Sequence, residues 1–434
     1  MVMAGADPRP TPGVDAHAGR PGSSPASAAS GPRRQRSGFW TVAYAFLIVM
    51  AFATLPSPLY GLYRVRDDLS AFTITIIYAI FAAGTIVTLG RVPSIAGRVG
   101  RRGVMLAAVA TMMVSAAVLA AWKDLPGLLV GRLLTGVAVG LAAGTAITYL
   151  IELQVRANPT ASMSRARTIG TSVNVGALGV GPLIAGCLAQ WASWPLTLAY
   201  LVFLALGAIA VAGLATVAET GSPGRAAPVK QLTARPTRSR RPRLPLPAAA
   251  ATLFAYSSMG LFAGLSGLFL ATTLGHPSHA LSGATLFLVF SCGVISQLAT
   301  TNLRASHVLG LGTLSMLLGL ALLVASVRLS SPSLGLFLLS GALIGAGSGA
   351  VFKGTTGIVL EAAVPEDRLA MTSALLIALF IGLSLPVIGA GIALNQGASA
   401  PNTVLGFAII VGLGVALSGW ALMSRQPKTS QPAT

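Results

Sequence analysis

Charge is the scarcest property of this chain. Its 434 residues hold 10 acidic and 29 basic side chains, so 9% of positions are charged, and 6% are aromatic. An ordinary globular domain is about a quarter charged. With 54% hydrophobic residues, a chain so poor in charge cannot cover a water-facing surface. The composition therefore excludes a soluble fold. Other shortages close further classes. Cys187 and Cys292 are the only cysteines, and they fall inside predicted spans of different halves, where they serve as small apolar fillers and not as a disulfide. No GxxxxGK[ST] run occurs, so the chain carries no Walker-type ATP site. His17, His276, His279 and His307 lie in a tail, an outer loop and a helix start. The serine of "GLSG" at 264–267 therefore lacks a base at membrane depth, which argues against an intramembrane serine protease.

Long uncharged runs are abundant. No Asp, Glu, Lys or Arg interrupts 103–122, 168–218, 244–303 or 369–424. A helix needs roughly 20 apolar residues to cross a bilayer, so the longer runs each hold two crossings. Splitting them at "WASWP" (191–195), "GHPSH" (275–279) and "NQGASAPN" (395–402) predicts six helices in the first half, at 39–61, 69–91, 103–122, 127–151, 168–190 and 195–217. The second half offers 248–274, 280–302, 308–327, 333–357, 369–394 and 402–424. The expected fold class is an all-α membrane protein of twelve transmembrane helices in two pseudo-symmetric six-helix bundles.

The formal net charge of +19 is explained by topology. Twenty-three of the 29 cations fall in the tails and in loops on the side of both chain ends, whereas Arg64, Arg66, Lys123 and Arg328 fall on the other. The positive-inside rule makes the terminal side cytoplasmic. No basic face with aromatic platforms exists outside these loops, so nucleic acid is not an expected partner.

The expected organisation is a disordered cytoplasmic tail at 1–38, bundles at 39–218 and 248–424, a cytoplasmic Pro/Arg-rich linker at 219–247 and a short tail at 425–434. The first stretch is too polar for a cleavable signal. At an offset of 209, Gly136 falls on Gly345, Gly140 on Gly349 and Glu152 on Glu361, so the fourth and tenth helices share a glycine ladder ending in a glutamate. Such ladders permit close helix packing, and the shared carboxylate points to an internal duplication.

These features resemble the major facilitator superfamily over about 39–424. Its loop between the second and third helices reads roughly GxxxDRxGRR. "PSIAGRVGRR" at 93–102 keeps the basic half and loses the first glycine and the aspartate. The resemblance implies a cytoplasmic latch here that must find another acid. "GRLLTGVAVG" (131–140) carries the fourth-helix arginine, Arg132, and "GVGPLIAG" (179–186) resembles the GPxxGG bend of the family's exporters, with Gly181, Pro182 and Gly186 as its hinge. Pro386 in "SLPVIGAG" (384–391) looks like the internal copy. Glu361 and Arg368 fit a spacing seen after the tenth helix in sugar carriers. Arg98, Arg101, Arg102, Glu152, Glu361 and Arg368 are the expected gating or coupling set, with the glutamates pairing to cytoplasmic arginines in one conformation.

In this fold the first, fourth, seventh and tenth helices line a central cavity, and they offer Tyr44, Thr54, Arg132, Tyr256, Ser257, Ser258 and Lys353. Of these, Tyr44, Arg132, Tyr256, Ser257 and Lys353 are the substrate-binding candidates. No carboxylate sits mid-helix, so the cavity is expected to be positive and its substrate neutral, or to carry a carboxylate or phosphate. An intramembrane Arg also has structural or coupling duties in this fold, and Lys353 can snorkel toward the cytoplasm. The resemblance implies a monomeric secondary carrier in a bacterial plasma membrane, moving a small molecule with protons, through lipid and without cofactor, metal or catalysis. Efflux of a small organic compound is the first expectation, and uptake of an anionic or sugar-like metabolite the second. Duplicated halves suit rocking access better than a channel.

Overall fold

A computed structural model describes residues 32–158, 163–220, 244–364 and 367–424; the bulk of the expected N-terminal tail, most of the linker and the C-terminal tail lie outside them. Among the described residues there are thirteen α-helices and no strand: α1 (Pro32–Thr54), α2 (Tyr60–Asp67), α3 (Ala71–Leu89), α4 (Val92–Ala121), α5 (Leu125–Ala157), α6 (Met163–Trp191), α7 (Pro195–Thr216), α8 (Leu246–Thr272), α9 (His279–Ala299), α10 (Ala305–Arg328), α11 (Leu334–Ala362), α12 (Arg368–Asn395) and α13 (Ala400–Ser424). A 3-10 turn at Ser57–Leu59 joins α1 to α2, because Pro56 and Pro58 cannot donate to a continuing helix. Counting that jointed pair once, twelve segments are long and apolar enough to span a bilayer. Leu413, Leu417 and Trp420 of α13 are 59%, 64% and 67% exposed, as lipid-facing side chains must be. Trp191 and Trp194 stand exposed at the α6–α7 turn, an interfacial position.

Helix ends depart from the sequence expectation where polar residues continue a helix beyond the apolar run. α1 starts at Pro32 and not 39, while α4 reaches back through the arginines to Val92 and not 103. α4 is broken at Gly100, whose φ of 75° and ψ of 171° suit glycine alone.

Two bundles of six spans each result. In the first, α5 packs on α3, α4 and α1, and α6 packs on α1; in the second, α11 packs on α10, α9 and α8, and α12 on α8. The shared glycine ladder explains this correspondence. A methyl at Gly136 would collide with the Phe81 carbonyl of α3, and one at Gly345 would collide with the Val289 carbonyl of α9. Equivalent glycines thus admit the backbone of equivalent neighbours, so the duplicated pattern is also duplicated packing.

The halves meet through α6 on α9 and α3 on α12. The inter-half hydrogen bonds found among the described residues all lie on the face opposite the chain ends. Gln190 Oε1 accepts from His279 N at 3.0 Å and from Ser278 Oγ at 3.2 Å, and His279 Nδ1 lies 3.2 Å from the Pro58 carbonyl. Below this seam, Phe81 and Phe380 meet edge-on with ring centres 6.2 Å apart, midway along α3 and α12.

Candidate functional site

The residues singled out in the sequence separate into three groups. The first is held by partners within the N-terminal bundle. Tyr44 donates its hydroxyl to the Leu206 carbonyl of α7 at 3.2 Å, so it ties two helices of one half together. Thr54 donates to the Leu178 carbonyl of α6 at 2.6 Å. Arg132 is fully buried: its guanidinium donates to the carbonyls of Ala53 (2.6 Å), Tyr78 (3.2 Å) and Ile77 (3.3 Å), and its Cζ sits 4.7 Å from the ring centre of Phe81. An arginine inside a span needs such partners. Here main-chain oxygens and an aromatic face supply them, and the guanidinium faces no open space.

The second group lies on α8, α9 and α11, nearer the chain-end face. Ser348 Oγ of α11 donates to the Ala255 carbonyl of α8 at 2.8 Å, and Tyr256 and Phe352 meet edge-on with ring centres 5.5 Å apart. Further along, Phe262 of α8 meets Phe337 of α11 with ring centres 5.1 Å apart, so the two helices run antiparallel. The hydroxyls of Thr252, Tyr256, Thr355 and Thr356 and the Nε2 of Gln297 are buried with no hydrogen-bond partner among the described residues. Lys353, one residue beyond Phe352, donates to the Gln297 carbonyl of α9 and to Thr301 Oγ1 at 3.3 Å. Ser258 Oγ is also buried and unpartnered, whereas Ser257 is satisfied by the Leu253 carbonyl of its own helix at 2.8 Å. A buried hydroxyl left unpaired costs roughly 1–3 kcal/mol, so the unpartnered hydroxyls of α8 and α11 are groups that a polar guest can satisfy. Sequence reasoning misses Thr252, Gln297, Thr355 and Thr356. Thr252 stands one turn before Tyr256 and Thr356 three residues after Lys353, and that helical spacing is the signal that could find them.

The third group is the charged loop at the chain-end face. Arg101 Nε pairs with Glu152 at 2.7 Å. This pair joins α4 to α5 within one half, so it is no bridge between halves in this conformation. Glu361 and Arg368 are exposed, and neither makes an ion pair with a described residue. Arg98 is exposed, and Arg102 donates to the Val217 carbonyl at 3.3 Å.

The expected hinge lies where α6 touches both neighbours. A methyl at Gly181 would strike the Ala51 carbonyl of α1, and one at Gly186 would fall 2.5 Å from the His279 carbonyl of α9. α6 continues unbroken through Pro182, as α12 does through Pro386. A further cleft of about 340 Å³, lined entirely by apolar side chains such as Leu253, Phe254, Ile377 and Ile381, lies between α8 and α12.

The profile of the Major Facilitator Superfamily matches residues 42–306, more than half of the chain. The chain belongs to that superfamily and is thus a membrane transporter. Among solved structures it is similar to the nucleoside transporter NupG, crystallised as a point mutant: 12% identity, 89% of this chain and 99% of that one covered, TM-score 0.66. At this identity the likeness shows the shared fold. None of the curated proteins matches the sequence.

Proposed function

We propose that the chain is a proton-coupled secondary carrier of the bacterial plasma membrane, with both termini cytoplasmic, and that it exports a small organic compound. The cation count of the loops supports the orientation. The observation that carries the transport mechanism is the one-sidedness of the inter-half hydrogen bonds: Gln190, Ser278, His279 and Pro58 close the face away from the chain ends. With the termini inside, this is an inward-facing state, and transport requires the far seam to open while the cytoplasmic ends close. The small-residue bend around Pro182 is wedged between α1 and α9, where such rocking pivots, and it favours export.

The proposed substrate surface is the α8–α9–α11 face, with Tyr256 and Lys353 at its centre. Arg132 is occupied by carbonyls, which leaves Lys353 as the cation that meets a carboxylate or phosphate if the substrate bears one. Lys353 equally suits the second reading, uptake of an anionic metabolite. The two readings differ in the direction of coupled proton movement.

The decisive experiment uses purified protein in liposomes loaded with a pH-sensitive dye and a panel of drugs and metabolites under an imposed proton gradient. Export predicts that a compound moving against the imposed gradient drives protons the opposite way. Movement of labelled compound with no proton flux sinks the coupling, and co-directional flux selects uptake.

A further inference from the structure

The far-side seam between the halves contains a titratable ring. His279, the first residue of α9, is half-buried, and its Nδ1 lies 3.2 Å from the Pro58 carbonyl of the other half. A carbonyl oxygen only accepts, so this contact requires a proton on Nδ1. Neutral imidazole carries its proton on one nitrogen or the other, whereas imidazolium carries one on both. Protonation of the ring therefore guarantees the donor, and it makes the bond charge-assisted, roughly twice as strong as a neutral one.

The ring has a fixed mount. A methyl at Gly186 of α6 would fall 2.5 Å from the His279 carbonyl, and one at Gly283 of α9 would strike the Pro182 carbonyl, so α6 and α9 meet main chain to main chain here. Gln190, which accepts from the His279 amide, is exposed, so far-side water reaches this end of the seam. Across the seam, a methyl at Gly61 of α2 would lie 3.8 Å from the ring carbon Cε1. Opening the far side carries Pro58 and α2 away from the ring.

The surrounding charges do not decide the outcome. α2 holds Arg64 one turn beyond Gly61, then Arg66 and Asp67, with Asp68 after it; Arg66 is paired with Asp67 at 2.7 Å. These two cations and two anions sum to zero, and at partly exposed positions each acts weakly. Tyr60 and Tyr63 of α2 are buried. The 3-10 turn at Ser57–Leu59 has no titratable group, and α6 offers Cys187 beside Gly186. Tyr256 of α8 and Lys353 and Glu361 of α11 lie toward the chain-end face, and His276 is exposed in the turn before α9. Among the described residues no ion pair reaches His279. The dipole at the start of α9 opposes an imidazolium with the seam open or closed, so it favours neither. The bond to Pro58 is what differs between them.

We propose that His279 senses the pH of the far face: acid there charges the ring, strengthens its bond to Pro58 and holds the seam closed. Alkali leaves a neutral ring and a looser seam. Histidine is the side chain whose charge ordinarily changes between about pH 5 and pH 8, so the response falls within that range. In the carrier reading, on which this consequence rests, an acidic exterior prolongs the inward-facing state.

The test uses the full-length chain in lipid nanodiscs, without substrate or gradient. Spin labels at Trp194→Cys and Leu329→Cys, exposed far-face positions of the two halves, report the seam by pulsed electron resonance once Cys187 and Cys292 are replaced by alanine. The far-side-open fraction is expected to be about threefold larger at about pH 8 than at about pH 5. His279→Asn keeps a donor that does not titrate, and should stay closed at both values. His279→Ala should be more open than the acidic wild type at both, and His276→Asn should respond as the wild type does. A wild type indifferent to pH, or one that opens in acid, would refute the sensor. A pH response that survives in His279→Asn, or disappears in His276→Asn, would assign it to another group. Coupled flux in liposomes tests the carrier reading separately.

Discussion

Thr54 donates its hydroxyl to the Leu178 carbonyl at 2.6 Å, and Leu178 is the residue four before Pro182. Proline has no N–H, so the carbonyl one turn earlier loses its helical partner. A threonine from α1 fills that place, which lets α6 carry a proline through its interior and ties the bend to the helix it pivots against. Thr54→Val keeps the shape and removes the donor. We expect it to lower stability by about 1–2 kcal/mol, read as a lower melting temperature in detergent, and Thr54→Ser to keep most of the wild-type value. In Pro182→Ala the carbonyl regains a backbone donor, so Thr54→Val should cost little in that background. Equal losses in both backgrounds would show that the two residues are not coupled.

Arg132 is predicted to hold the fold of the N-terminal bundle. Ala53 is the penultimate residue of α1, whose last carbonyls lack helical partners, and the guanidinium serves that carbonyl at 2.6 Å. Arg132→Met removes this donor together with the stacking on Phe81, and we expect a loss of about 2 kcal/mol in thermal stability. Arg132→Lys keeps the charge but not the fork that reaches three carbonyls, so it should fall between the two. A melting temperature unchanged in Arg132→Met, with substrate KM raised, would instead place the side chain in the binding surface.

The spans are legible in the sequence because apolar runs of bilayer length leave few alternatives, and the glycine ladder tells which helices repeat. Orientation of individual side chains is not legible. Helices buried in lipid and protein are apolar nearly all round, so periodicity does not say that Tyr44 turns to α7 or Arg132 to α3. The arginine-rich start of α4 reads as loop because charge, not helical propensity, dominates those positions. The contact of the Glu219 carboxylate with the backbone amides of Arg101 and Arg102 is hidden for another reason: those amides lie 118 and 117 residues away, and no sequence spacing records such a contact.

Gln190 is predicted to act as the far-side fastener. Its one carboxamide oxygen accepts two of the three inter-half hydrogen bonds at the start of α9. Each such bond is worth about 1 kcal/mol, enough to shift a two-state equilibrium several-fold. Gln190→Ala should therefore speed alkylation of Cys187 about three- to tenfold in nanodiscs without substrate, with the spans still folded by circular dichroism. Slower or unchanged alkylation would show that the seam is held elsewhere.

Lys353 gives the sharpest test of the substrate surface. Its ammonium rests on the Gln297 carbonyl and the Thr301 hydroxyl, both neutral oxygens near the chain-end side of α9, so no buried carboxylate is stranded when the charge is removed. Lys353→Met keeps the stem that packs along the helix, and stability should change by less than about 1 kcal/mol. Transport of a carboxylate- or phosphate-bearing compound should respond differently, because a lost charge-assisted contact is worth about 1.5–3 kcal/mol, a KM rise of roughly ten- to hundredfold at constant kcat. Tyr256→Phe, which removes one unpartnered hydroxyl of α8, should raise KM several-fold for the same compound while leaving the ring contact with Phe352 in place. If both variants transport that compound as the wild type does, the α8–α9–α11 face is packing, and the substrate is held elsewhere in the carrier.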